Sequence, residues 1–195
     1  MSRIAAAILL LLTFPLVLFF ALAIKFNYPG PIFYRQVREG KNGKPFKIIK
    51  LRTMVMNAEA VLQTLLRDNP LLAKHWEEKG MLNNDPRIAG KIGRLARQLS
   101  IDELPQLWNV VRGEMAFVGP RPLELFSFDI LHPDTRKRRY SVLPGITGLA
   151  QVENRGASIR QMQFYDSIFI RNQGVCIRAY VLYRTVFSIL RRTGA

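Results

Sequence analysis

The sequence predicts an α+β fold, a mostly helical domain with a short β-hairpin, preceded by a membrane helix that a central proline, Pro15, bends. Three observations carry this. Residues 4–24 hold no charged side chain. Two short stretches of β-patterned residues flank a turn at Gly40–Gly43. Elsewhere, apolar residues recur mainly at helical spacing. A chain of 195 residues with 49% hydrophobic content suits one compact domain,. Residues 1–26 are read as the membrane segment and 27–195 as the domain.

The apolar start, "IAAAILLLLTFPLVLFFALAI", covers about 30 Å at helical rise, roughly one hydrocarbon core,. A cleaved signal peptide ending at "ALA" is the competing reading. Against it stand a run long for a signal, Arg3 as the sole cationic side chain ahead of it, and Pro15 in mid-run,. Between Lys25 and Arg52 stand eight Lys and Arg residues, opposed only by Glu39, which holds this flank in the cytosol,. The amino terminus shares that preference. A helix bent at Pro15 can therefore enter and leave by one face, although an ordinary span also tolerates proline.

Downstream, "NYPGPIF" is a stiff exit loop, and "PIFYRQVREGKNGKPFKIIKLRTM" gives the hairpin,. Residues 56–68 form a helix stopped by Pro70, "NNDPR" at 83–87 a turn, and "RIAGKIGRLARQ" a basic approach to a helix over 102–112 closed by Gly113,. The terminal stretch "IRAYVLYRTVFSILRR" reads either as an interfacial amphipathic helix or as a packed core helix,.

A net charge of +15 points to an anionic partner: nucleic acid, acidic lipid or a phosphorylated substrate,. A lone cysteine, Cys176, excludes an internal disulfide framework, and the isolated His75 and His132 exclude a zinc cluster,. "LSIDELPQLWNVVRGEM" then stands out, because it sets two adjacent carboxylates, Asp102 and Glu103, just ahead of Pro105. Ser100 with Glu103 fits a capping box, but that register puts Pro105 fifth in the helix. With Asp102 as the cap, Pro105 falls in the tolerant first turn, and both acids lie where free N–H groups favour phosphate. Nearby, Arg121 is stiffened by Pro120 and Pro122, Arg94 and Arg97 approach the same helix, and Lys50 and Arg52 close the hairpin. Two acids for a divalent ion and several cations for phosphates are what phosphoryl transfer requires.

With "YPGPIFYRQVREGKNGKPFKIIKLRTM", "DELPQLWNV", "GPRP", "LPGITGLAQV" and "YDSIFIRN…YRTV", the chain resembles, nearly end to end, the bacterial sugar transferase family of monotopic polyprenol-phosphate phosphoglycosyl transferases. The resemblance implies a catalytic domain on the cytosolic face of the bacterial inner membrane, behind a re-entrant helix broken at Pro15. It implies transfer of a sugar-1-phosphate from a UDP-sugar to polyprenyl (undecaprenyl) phosphate, with UMP released, at the start of glycan assembly. Asp102 is the implied nucleophile and Glu103 the ligand of Mg2+. Lys50, Arg97, Arg121 and Asp166 are the implied substrate-binding residues. Membrane lipid is an implied partner, nucleic acid is not, and a homo-oligomer is compatible. Two departures bear on acceptor or sugar contacts: Gln173, Gly174 and Arg178 replace the family's Trp, Ser and Asp, and Glu153-Asn154 replaces Ser-Gly before Arg155. The competing class is a membrane-tethered basic module that binds acidic lipid or nucleic acid through "TRKRRY",. An aminoalcohol phosphotransferase would need several spans and a spaced set of aspartates.

Overall fold

The computed structural model describes residues 2–79, 82, 84–123, 131–154 and 158–191. Its first element, helix α1 (Ser2–Asn27), continues through Pro15. By length and composition it is the one described helix able to cross a membrane. One face packs along the rest of the chain. Ala6 is buried with Phe46, Ile48, Leu107, Val110 and Met115, while Phe20, Ala21 and Ile24 are buried with Leu51, Ala89, Ala96 and Ile101. The other face shows Leu11, Leu12, Phe14 and Phe19 to the exterior. Both ends of α1 therefore rest on the same body.

The hairpin follows as expected. Strands β1 (Phe33–Glu39) and β2 (Pro45–Leu51) pair antiparallel about a 3-10 turn at Lys41–Gly43. Arg52, counted in sequence as one of the basic flank, turns inward instead: it donates to the carbonyls of Pro31 and Tyr28 at 2.6 and 2.5 Å, fastening the exit loop of α1. Helix α2 (Ala58–Asp68) ends near the expected place, but Pro70 opens another helix, α3 (Pro70–Lys79), rather than only closing the first. A missing N–H costs nothing at a first helical position, and Asn69 caps it by accepting from Leu72 N at 3.1 Å,. In "NNDPR", Asp85 and Arg87 form a buried ion pair at 2.6 Å; Asn83 lies outside the described residues.

Helix α4 (Gly90–Gln98) leads into the carboxylate segment, where the expected register is corrected. Residues Ile101–Gln106 form a 3-10 helix, and only Leu107–Arg112 is α-helical (α5). Ser100, not Asp102, is the N-terminal flanking residue, at φ 55° and with no side-chain cap. The cause is Pro105, whose ring would strike the carbonyl of Ile101 in an α-turn; the tighter 3-10 path avoids that clash. Gly113 closes α5 at φ 78°, as expected, and a Cβ there would also collide with the Arg3 guanidinium,.

Beyond it lies a two-stranded parallel pair that the sequence reading did not anticipate: β3 (Ala116–Val118) beside β4 (Gly145–Thr147). Each strand has three residues, too few for an alternation to register,. Their approach needs Gly119 and Gly145, because a Cβ on Gly145 would overlap the backbone of Gly119,. Helices α6 (Pro133–Tyr140), α7 (Leu149–Glu153), α8 (Ile159–Arg171) and α9 (Val175–Leu190) complete the described chain. Val118, Leu149, Phe169 and Val181 form their core. Along α9 only Val181 is buried, whereas Tyr183, Val186 and Leu190 are exposed.

Candidate active site

Phe46, Ile48 and Lys50 share one face of β2, so the alternation that buries the first two also draws the Lys50 ammonium inward,. Asn109 of α5 holds that strand in place. Its side chain donates to Lys47 O at 2.9 Å, accepts from Ile49 N at 3.2 Å and donates to Glu114 at 2.7 Å. The segment "DELPQLWN" thus carries both the carboxylates and the clamp that presses Lys50 against them.

Lys50 Nζ donates to Glu103 Oε1 at 2.9 Å, and Arg121 Nη1 reaches the same oxygen at 3.3 Å. Lys50 and Glu103 side chains are each 19% exposed, Arg121 44%. Both cations converge on Oε1, leaving Oε2 without a donor among the described residues. Asp102 is 9% exposed, and no described group donates a hydrogen bond to its carboxylate. Arg97, in the last turn of α4, is among the cations acting on Asp102. Lys50, Glu103 and Arg121 therefore meet beside Asp102, with Arg97 near enough for its charge to act on that carboxylate, although four separate elements supply them.

Their environments push the two acids apart. Burial, and next the charge of Glu103, raise the Asp102 carboxyl to about 6 against the pull of Lys50, Arg97 and Arg121,. Burial acts the same way on Glu103, but the charges and hydrogen bonds of Lys50 and Arg121 outweigh it and hold that carboxyl at about 2. Burial, with Arg121 adding to it, lowers Lys50 against the attraction of Glu103. A more basic carboxylate with unengaged lone pairs beside one committed to cations is a division of labour: Asp102 is suited to attack, Glu103 to hold charge.

No group of three or more potential protein ligands for a metal ion occurs among the described residues. The donor set still fits magnesium, which is commonly held by one or two carboxylates together with substrate phosphates. Glu103 Oε2 is the available oxygen.

Asp166, the remaining candidate, is 2% exposed on α8 and forms an ion pair with Arg139 Nη1. Arg139 in turn donates through Nη2 to the backbone carbonyl of Arg121. The structure thus brings Asp166 to the site's edge through an arginine that sequence reading missed. Within "TRKRRY" nothing marked Arg139 from its neighbours. Within that run Arg136 is bound to Glu39 at 3.2 Å and Arg139 is buried, while Lys137 and Arg138 are exposed. Arg178, the departure noted above, donates to Val118 O at 3.3 Å and lies 5.4 Å from the Phe169 ring centroid. Arg155 lies outside the described residues.

Paired carboxylates of opposed basicity thus stand among cations beside a long apolar helix. Residues 1–192 match the bacterial sugar transferase family, and the chain belongs to it. It is 40% identical over 172 residues to the UDP-galactose-lipid carrier transferase of Erwinia amylovora, covering 85% of this chain and 35% of that protein. It is 36% identical to the exopolysaccharide production protein ExoY of Rhizobium meliloti, over 98% of this chain and 84% of that protein. It is 40% identical to the UDP-glucose:undecaprenyl-phosphate glucose-1-phosphate transferase of Caulobacter vibrioides, over 98% of this chain and 69% of that protein. The chain thus spans about a third of the Erwinia protein and most of the Rhizobium one.

Proposed function

We propose that the protein transfers a sugar-1-phosphate from a UDP-sugar to undecaprenyl phosphate on the cytosolic face of the bacterial cytoplasmic membrane, with Asp102 as a covalent nucleophile. The observation that carries this is the split pair: Asp102 raised to about 6, Glu103 held at about 2 by Lys50 and Arg121. Asp102 Oδ attacks the phosphorus next to the sugar, and the bond from that phosphorus to the bridging oxygen breaks. UMP departs with that oxygen. An oxygen of undecaprenyl phosphate then attacks the same phosphorus and returns the carboxylate, giving the undecaprenyl-diphosphate sugar. Arg121 and Arg97 neutralise the phosphates that would repel an attacking anion. Glu103 would hold magnesium, which would supply further charge neutralisation when bound.

The names of the relatives support the substrates: UDP-galactose and a lipid carrier in one, UDP-glucose and undecaprenyl phosphate in another. The seating of α1 supports a re-entrant membrane helix; the bend we assign to Pro15 rests on the proline alone,. With Ala6 and Ile24 both packed on one polar-surfaced domain, a crossing helix would drag part of that domain into hydrocarbon,. The apolar face of α9 would rest on the same membrane surface,.

The test is release of UMP from UDP-glucose or UDP-galactose in the presence of undecaprenyl phosphate and Mg2+. Asp102→Asn should lower the rate at least ~10³-fold. Turnover that survives this substitution, or no release from any donor in a UDP-sugar panel, contradicts the reading.

A further inference from the structure

The loop Pro120–Arg121–Pro122 carries a single backbone N–H, so it can be fastened almost only through its carbonyls,. All three are engaged, each from a different element. Pro120 O accepts from Gly145 N at 2.9 Å, Arg121 O from Arg139 Nη2, and Pro122 O from Arg38 Nη1 at 3.4 Å. Just upstream, Val118 O accepts from Arg178.

Among these arginines Arg139 is the buried one, its side chain 4% exposed, and its other terminal nitrogen is on Asp166 Oδ2, itself 2% exposed. A guanidinium at that depth requires an anion, and a planar fork fixed at one end by a carboxylate presents its other end in one direction. That direction is the carbonyl of Arg121. The peptide plane of Arg121 sets where its side chain leaves the loop, and the side chain ends on Glu103.

We infer that Arg139 and Asp166 are positioning residues for Arg121: Asp166 orients Arg139, and Arg139 aims the residue that neutralises substrate phosphate. What Arg121 neutralises rests on the function proposed above; the restraint of the loop does not. In this arrangement Asp166 acts on the reaction without touching substrate, and its contribution disappears once Arg121 is gone.

Two measurements test this, on Asp166→Asn and on Arg139→Lys, which keeps the charge but cannot serve Asp166 and the Arg121 carbonyl together. The first needs no substrate. Hydrogen exchange at Gly119 and Gly145 should speed up roughly tenfold while amides of α1 and α5 hold their rates. Unchanged exchange, or a rise throughout the chain, overturns the inference. The second is kcat/KM for the UDP-sugar, expected to fall about 100-fold in each variant, as for a misplaced positioning group. In an Arg121→Ala background the same substitutions should add nothing further. If the losses multiply, Asp166 or Arg139 acts independently of Arg121, as direct substrate contact would require. An enzyme whose parent form turns over no UDP-sugar removes the functional reading and leaves the exchange result to decide the positioning.

Discussion

Asp102 and Glu103 are chain neighbours with opposite thermodynamics. A carboxyl raised to about 6 favours the fold while protonated, so its contribution is present below about pH 4 and lost as pH rises through 6,. At pH 7.5 the ionised form opposes folding, and Asp102→Asn should stabilise the magnesium-free protein by on the order of 2 kcal/mol, the gain closing as pH falls toward 4. Glu103 has the reverse sign: held at about 2, it contributes stability above about pH 4.5 that is lost as pH falls toward 2,. Glu103→Gln should therefore destabilise at pH 7.5 by on the order of 3 kcal/mol, because it also leaves the Lys50 ammonium in the site without its anion,. Denaturant melts of both variants with chelator across pH 4–8 check this. Equal effects of like sign would mean that the two acids are ordinary first-turn residues. The same ionisation bears on catalysis: kcat/KM for the donor should fall as the pH is lowered through the range where Asp102 takes up its proton, a range that Mg2+ on Glu103 would move downward from its metal-free position,.

At the scale of elements, α1 carries the most distinctive expectation. Arg3 lies over Gly113 and Tyr28 lies against Gly90, so the two ends of a 26-residue helix are held by the domain that also holds the site. In a Cys176→Ser background, cysteines at Ser2 and at Asn42 should both be labelled by an impermeant maleimide from the cytosolic side. Pro15→Ala should move a measurable fraction of Ser2 labelling to the opposite side. Opposite-side labelling of the parent would make α1 an ordinary span. The apolar run, the hairpin and the Gly113 stop were legible because each is written as a local pattern: an uncharged stretch, two strands around glycines, a residue tolerant of positive φ. The 3-10 helix was not, because Pro105 signals a disturbance without saying whether the chain will shift its start or tighten its turn. The tightening matters to the site: side chains step by about 120° rather than about 100°, which separates Asp102 from Glu103 further than an α-turn would.

Across the whole molecule, the cationic ring around Glu103 joins residues 53 and 18 positions away, and the support behind Arg121 reaches 27 positions further, from Arg139 to Asp166. The acids were visible in sequence because they are adjacent and precede a proline. Lys50, Arg97 and Arg121 were visible as a basic neighbourhood, but they acquire roles only through family resemblance and through contacts that no local pattern contains. The carbonyl contacts of Arg139, Arg38 and Arg178 were invisible for the same reason, although Arg178 stood out as a departure from the family pattern: in a chain with 29 Lys and Arg, an arginine that holds a carbonyl looks like one that faces water. What unites these scales is one chemical claim, that Asp102 takes the phosphosugar before undecaprenyl phosphate does. Its most direct measurement is intact and peptide mass spectrometry of the enzyme incubated with UDP-glucose or UDP-galactose and Mg2+, without acceptor. Release of UMP at up to one equivalent is expected, with a mass increase of one sugar phosphate on the peptide containing Asp102 that is absent in Asp102→Asn. UMP that appears only when undecaprenyl phosphate is added, with no adduct on that peptide, would mean direct transfer and would contradict the account.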